Sequence, residues 1–200
     1  MRLLFSATSP YARKVRVLIL EKGLADRVES VPTNPLEDPP ALSAVNPLHK
    51  VPALLLDDGQ ALYDSPLICE YLDVTFPTPR FIPEAGAERW RVLKLQALAD
   101  GILDAALPIV MELRRPETER SAAWLERWQR AITRGVAVAD ADHSALDGPL
   151  DLGQVALVAA LDYLDFRLPD LAWQDRHPEL AAWHRALLER PSLRATDPRG

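Results

Sequence analysis

The chain predicts an α/β domain followed by an all-helical one, and three observations predict it. The first eighty residues alternate short apolar runs with helix-like segments. Prolines at 77, 79 and 83 then form a stiff, extended connector. Beyond it no strand pattern survives, and all five tryptophans (90, 124, 128, 173 and 183) fall in helix-like sequence.

"RLLFSA" reads as the first strand, and residues 10 to 23 as a helix stopped by Gly23. "RVESVP" is a second short strand. "NPLEDPPALSAVNPLHK" is loop with one helical turn at most, because its prolines forbid more. "VPALLLDDGQALYDS" holds two apolar runs joined at Asp57-Asp58-Gly59, the pattern of a hairpin. Ser65-Pro66 opens another helix, through about residue 76. The order is β-α-β-α-β-β-α over residues 1–76, with a linker at 77–85 and a helical domain at 86–200. In the latter, helices are expected near 86–114, 117–143, 152–167 and 177–189. The Asp151 and Gln154 pair starts the third of these by capping-box logic. Pro108 predicts a kink in the first, and Trp124 and Trp128, four residues apart, read as core.

A net charge of -6 and a pI near 5.3 argue against a nucleic-acid backbone as the main partner. No apolar run approaches the ~18–20 residues of a membrane span, and no signal peptide is legible, so a soluble cytoplasmic protein is expected. The single cysteine, Cys69, excludes an internal disulfide and reads as a buried structural thiol. Histidines 49, 143, 177 and 184 show no ligand spacing, so no metal site is expected.

Two helix starts stand out. Ser9 occupies an N-cap position before Pro10, and the early turns then carry Tyr11, Arg13, Lys14 and Arg16 with no acid before Glu21. A helix N-terminus favours acidic side chains, so this basic start suits an anionic ligand; the same side chains could equally point into solvent. Asp64-Ser65-Pro66 repeats the device, with Ser65 read as a serine cap. Such strand–helix edges of open α/β sheets are where ligands bind. Between them, Pro52 opens a strand that otherwise reads as central. A trans Val51-Pro52 bond is the commoner form, whereas a cis bond would turn the backbone of Val51 outward.

Together "TSPYARKVR", "NPLHKVPAL" and "LYDSPLICEYL" resemble the thioredoxin-like N-terminal domain of the cytosolic glutathione S-transferases. The resemblance continues into "ALDGPLDLGQVALVAALDYLDFR", similar to the family's capped core helix, and "HPELAAWHRALLERPSLRATDP", similar to its closing helix and tail. "ALADGILDAAL" resembles a bacterial serine-type branch.

The resemblance implies roles. Ser9 is expected to donate to the glutathione sulfur and keep it as thiolate. Val51, held by a cis Pro52, is expected to pair main chain to main chain with the cysteinyl part. Asp64 and Ser65 would read the γ-glutamyl end, with Ser65 taking its carboxylate, and Lys50 the glycyl carboxylate. Arg13 would support the anion or lie on the surface. Asp100, which shares a helix face with Asp104, would reach the glutathione of a neighbouring subunit in a homodimer; a solvated helix face is the alternative. An electrophile pocket is expected from Pro10, Tyr11, Leu107, Met111 and Arg114. His49 stands where many relatives have a small residue, at the mouth of the site.

The implied activity is conjugation of glutathione, as co-substrate and without a metal, to small electrophiles, a detoxification chemistry. A non-catalytic glutathione- or ligand-binding module on the same fold, and a glutathione-dependent peroxidase or reductive enzyme, remain alternatives. Serine at position 9 argues against the branches that use a catalytic cysteine.

Overall fold

The computed structural model describes residues 1–142 and 146–200, so His143 lies outside the described residues. The described chain divides into two compact units, Met1–Pro83 with Arg190–Gly200, and Glu84–Glu189. This division puts the last eleven residues with the sheet rather than with the helices of 86–200.

The first unit is built on strands β1 (Arg2–Phe5), β2 (Glu29–Pro32), β3 (Ala53–Leu55) and β4 (Ala61–Leu62). Their order is β2-β1-β3-β4, with β1 parallel to β2 and the other pairs antiparallel. The parallel pair needs a crossover, which α1 (Pro10–Glu21) supplies. The antiparallel pair β3–β4 turns at Asp57-Asp58-Gly59, where Gly59 takes φ 88° and donates to the Leu56 carbonyl. Successive strand residues face opposite ways, so both faces of this sheet must be covered. Leu4 and Ala53 pack with Leu42 of α2 (Pro40–Val45), while α1 packs against α3 (Ser65–Thr75) with Leu18, Ile68 and Leu72 wholly buried.

The expected strand and helix order is present, and the fold is a thioredoxin-like α/β domain and an all-α domain. The proline connector is fastened by a pair that the sequence did not single out. Lys22 Nζ donates to Asp73 Oδ1 at 2.8 Å and to the Pro79 carbonyl, both ionic side chains being buried. Asp73 also accepts the Phe81 and Ile82 amides at 2.8 and 2.9 Å. Three donors thus satisfy a carboxylate that burial would otherwise penalise.

The second unit comprises α4 (Gly86–Leu113), α5 (Ala122–Ala141), α6 (Leu152–Arg167), α7 (Trp173–Arg176) and α8 (Pro178–Leu188). Helix α6 is its axis, buried at every position from Leu152 to Leu164. Glycine permits its approach to α4: a Cβ at Gly153 would stand 2.8 Å from the Val92 carbonyl oxygen. Gly135 does the same for α5, where a Cβ would meet Ile102 at 2.7 Å. Asp151 caps α6 by accepting the Gln154 amide at 2.9 Å, and its other oxygen pairs with Arg91 of α4 at 2.6 Å. Gln154 does not reach back to its cap; its side chain donates to the Leu146 carbonyl instead. Helix α4 runs on through Pro108. Trp124 and Trp128 stack at 5.4 Å, but Trp124 is half exposed, which corrects their reading as core. The pair shields itself, so i,i+4 spacing alone did not imply burial. No helix of the described residues is long and apolar enough to cross a membrane.

Candidate functional site

In the first unit, the chain enters α1 through Ser9, whose backbone is extended (φ -81°, ψ 118°) as an N-cap requires. Ser9 Oγ accepts the Ala12 amide at 3.2 Å, and the Ser9 carbonyl accepts the Arg13 amide at 2.9 Å. A hydroxyl that accepts in this way keeps its own proton to donate. Pro10 is buried and Tyr11 half-buried at the start of the same helix, and no acidic residue occupies the first turn.

Arg13 and Lys14 are not surface groups: they are 3% and 1% exposed, which corrects the surface alternative for Arg13. Its guanidinium donates through Nη2 to the Leu193 carbonyl at 3.1 Å and through Nε to Thr196 Oγ1 at 3.3 Å. Arg16 stacks over the Phe5 ring at 4.5 Å, and burial, helped by the Arg13 charge, holds it below the ordinary guanidinium range.

The Val51-Pro52 peptide is cis, as are those before Asp64 and Pro79. Pro52 is buried at the entry to β3, Val51 half-buried and Lys50 exposed. The Lys50 carbonyl accepts Asn46 Nδ2 at 2.8 Å, which ties this loop to the end of α2. His49, in left-handed backbone (φ 53°), hydrogen-bonds Ser43 Oγ through Nδ1 at 2.7 Å, and its Nε2 lies 3.1 Å from Asp38 Oδ1 without a hydrogen bond. It braces the segment before Lys50 from the side, a contact its place in the sequence did not show.

The start of α3 differs from the serine cap expected. Asp64 holds the N-cap position, exposed and without a side-chain cap bond, and Ser65 is the first helical residue. Ser65 is 1% exposed, and its hydroxyl has no hydrogen-bond partner among the described residues. A buried hydroxyl left unpaired costs about 1–3 kcal/mol, so native structures rarely keep one without a use. Cys69 is buried further along this helix, as the sequence indicated.

In the second unit, Asp100 is half-buried and Asp104 exposed on α4. Leu107 is half-buried, Met111 and Arg114 are exposed, and Arg114 Nη1 lies 3.8 Å from Met111 Sδ. Sequence reasoning missed Tyr163, buried on α6. Burial pushes its phenol above the ordinary range, against the weaker opposing pull of the Arg167 and Arg114 charges. A groove of about 270 Å³ between α4 and α5, lined by Trp90, Lys94 and Val138 among others, lies elsewhere. From Trp90 to Met111 along α4 is roughly 30 Å at helical rise. Asp162, Asp165 and His184, unrelated in sequence spacing, bring ligand-type atoms within 4.8 Å of one another. Asp165 Oδ1 already accepts Trp173 Nε1, at 2.7 Å, and Gln174, which braces α6 against α7.

The chain thus joins a small four-stranded sheet, with two proline-led helix starts and a cis-proline edge, to a helical domain that follows it in sequence. Residues 8–75 match the family model for the glutathione S-transferase N-terminal domain, and residues 122–186 match that for its C-terminal domain. The chain is 35% identical to the uncharacterised GST-like protein YibF of Escherichia coli K12, over 99% of this chain and 98% of that one. It is 43% identical to a glutathione transferase family member of Pseudomonas fluorescens Pf-5 solved with bound glutathione, with a TM-score of 0.95 and 98% of both chains covered. A structure from the same organism with bound S-(propanoic acid)-glutathione has 43% identity, a TM-score of 0.91 and 99% coverage of each chain. This chain belongs to the glutathione S-transferase family.

Proposed function

We propose that the protein is a serine-type glutathione transferase that binds glutathione on its first unit and conjugates it to small electrophiles. The observation that carries this reading is the geometry of Ser9, whose hydroxyl is oriented by the Ala12 amide and retains its proton at the positive end of α1. A free thiol with a pKa near ~8.5 is mostly protonated at neutral pH, and lowering it by ~2 units takes about 2.7 kcal/mol. One charge-assisted hydrogen bond of ~1.5–3 kcal/mol, plus a helix terminus worth up to ~2, has the required size. The thiolate then attacks the electrophilic carbon directly, so no covalent enzyme intermediate is needed.

Binding is assigned to the other elements of the unit. The unpaired Ser65 hydroxyl and the α3 amides take the γ-glutamyl carboxylate, and Asp64 takes its amine. Val51 pairs with the cysteinyl main chain as an added strand would, with cis Pro52 setting its direction. Lys50 takes the glycyl carboxylate. Glutathione bound to the Pseudomonas fluorescens relative supports this assignment.

On the family resemblance, Leu107, Met111 and Arg114 are assigned to the electrophile side. The S-(propanoic acid)-glutathione bound to the same Pseudomonas fluorescens relative supports an electrophile that bears a carboxylate. A homodimer, with Asp100 near the neighbouring glutathione, a cytoplasmic location and a role in detoxification complete the proposal. Exposed Trp90 and Val138 offer apolar surface of the kind a subunit contact uses.

The test is a thiolate titration. Glutathione is added at neutral pH to the wild type and to Ser9→Ala while the ultraviolet thiolate band is followed. A band in the wild type that is absent in the variant establishes activation by Ser9. One observation favours a second reading, a glutathione-holding module: Ser9 already has structural work as a cap. Calorimetric binding without a thiolate band, and without turnover across an electrophile panel, would decide for that module.

A further inference from the structure

We propose that the C-terminal tail is a working part of the thiol-activating helix, with Arg13 as the positioning residue that couples the two; this rests on Ser9 being the thiolate stabiliser. Although it follows the whole helical unit in sequence, Arg190–Gly200 belongs to the first unit. Its contacts with α1 run in reverse order along the chain. Arg190 and Ser192 hold Glu21 at the C-terminal end of α1, with Arg190 Nη2 2.7 Å from Glu21 Oε2. Leu193 and Thr196 hold Arg13 near the N-terminal end. The tail therefore lies antiparallel to α1 and fastens both of its ends.

The Arg13 end bears on the chemistry. Thr196 Oγ1 donates to the Ser192 carbonyl at 2.9 Å, which fixes the oxygen that Arg13 Nε meets. Arg13, Leu193 and Thr196 are all at least nine-tenths buried, so this clasp is dry. A guanidinium fork on two acceptors specifies position more tightly than a point charge can. The Arg13 amide, in turn, bonds the Ser9 carbonyl, and the neighbouring Ala12 amide bonds Ser9 Oγ. A shift of Arg13 thus reaches both bonds that orient the Ser9 hydroxyl. The proposed contacts to the glutathione backbone, at Lys50, Val51 and Ser65, lie on other elements, so release of the tail weakens activation rather than binding.

The experiment compares full-length wild type, Arg13→Met, Arg13→Lys and the milder Thr196→Val. The apparent pKa of the bound glutathione thiol is read from the thiolate band against pH, and glutathione affinity by calorimetry. Arg13→Met is expected to raise the bound thiol pKa by about 0.5–1 unit, with affinity kept within about threefold. Thr196→Val is expected to show a smaller rise in the same direction, and Arg13→Lys, which keeps the charge without the fork, a partial one. Exchange of the Ala12 and Arg13 amides should quicken about tenfold in Arg13→Met, with α3 amides unchanged. A thiol that titrates as in wild type, in folded Arg13→Met and Thr196→Val, would overturn the proposal, leaving the clasp as stability alone. Absence of a thiolate band in the wild type would overturn the Ser9 reading itself, and the two failures are thereby distinct. Unchanged amide exchange would overturn the coupling whatever the band shows.

Discussion

Two helices of the first unit begin with serine followed by proline, and their hydroxyls have opposite surroundings. Ser9 is half-buried and engaged, accepting the Ala12 amide as an N-cap. Ser65 is buried one position further into its helix, with no hydrogen-bond partner among the described residues. The first hydroxyl stabilises the folded chain and still has a proton to give. The second bonds nothing among the described residues, which fits a group that awaits an acceptor from outside. The residue pattern made these two starts look alike, and under the proposed function their difference would separate activation from binding.

The largest expected effect sharpens the comparison with a third buried polar group. Asp73 is as buried as Ser65 but receives Lys22 and two backbone amides. Asp73→Ala strands the Lys22 charge and frees the connector, so denaturant unfolding should show a loss of about 3–5 kcal/mol. A loss below ~1 kcal/mol would mean that water already reaches the pair. Next comes Ser9→Ala, expected to cut turnover by about one to three orders of magnitude at nearly unchanged glutathione affinity. Unchanged turnover would move thiolate stabilisation to Thr8 or to the α1 amides.

Ser65→Ala should do the reverse. Glutathione affinity should fall about tenfold, the effect of one hydrogen bond to a charged group, with the bound thiol pKa unmoved. Thermal melting of the free protein separates the pair further. Ser9→Ala removes a cap and should cost about 1 kcal/mol, whereas Ser65→Ala removes an unsatisfied group and should leave stability level or slightly higher. If both variants lose the same stability, the two hydroxyls are structurally equivalent and the distinction fails.

Much of this unit was legible beforehand because its signals are local. The Asp57-Asp58-Gly59 turn, the Ser9 cap and the helix stop at Gly23 each depend on neighbours in sequence. The cap of α6 by Asp151 is local as well. Arg13 was not legible, since its partners are 180 and 183 residues away and no periodicity links them. Nor was Asp73, whose role appears only once the connector folds back. The half-exposed Trp124 shows the converse, where helical spacing predicted an inward face and the pair found each other instead.

The smallest effect concerns the far end of α1, where the tail is held by charge rather than by a cap. The Arg190 hydrogen bond keeps the Glu21 carboxyl below its ordinary range, against burial, with help from Ser192 and from the Arg190 charge. A depressed carboxyl contributes stability that is present above its unfolded pKa and disappears as pH falls through its folded one. Arg190 is 41% exposed, so solvent screening limits the gain to about 0.5–1 kcal/mol. As pH falls from the ordinary carboxylate range through the lower folded pKa of Glu21, wild type should therefore lose slightly more stability than Glu21→Gln, which has no charge there to lose. Cleavage within Arg190–Gly200 by an acid-active protease should rise over the same interval in wild type, while Glu21→Gln starts higher and changes less. Equal acid profiles for the two proteins would show that the tail is held at Arg13 alone, and the contrast between the two ends of α1 would then be the one to pursue.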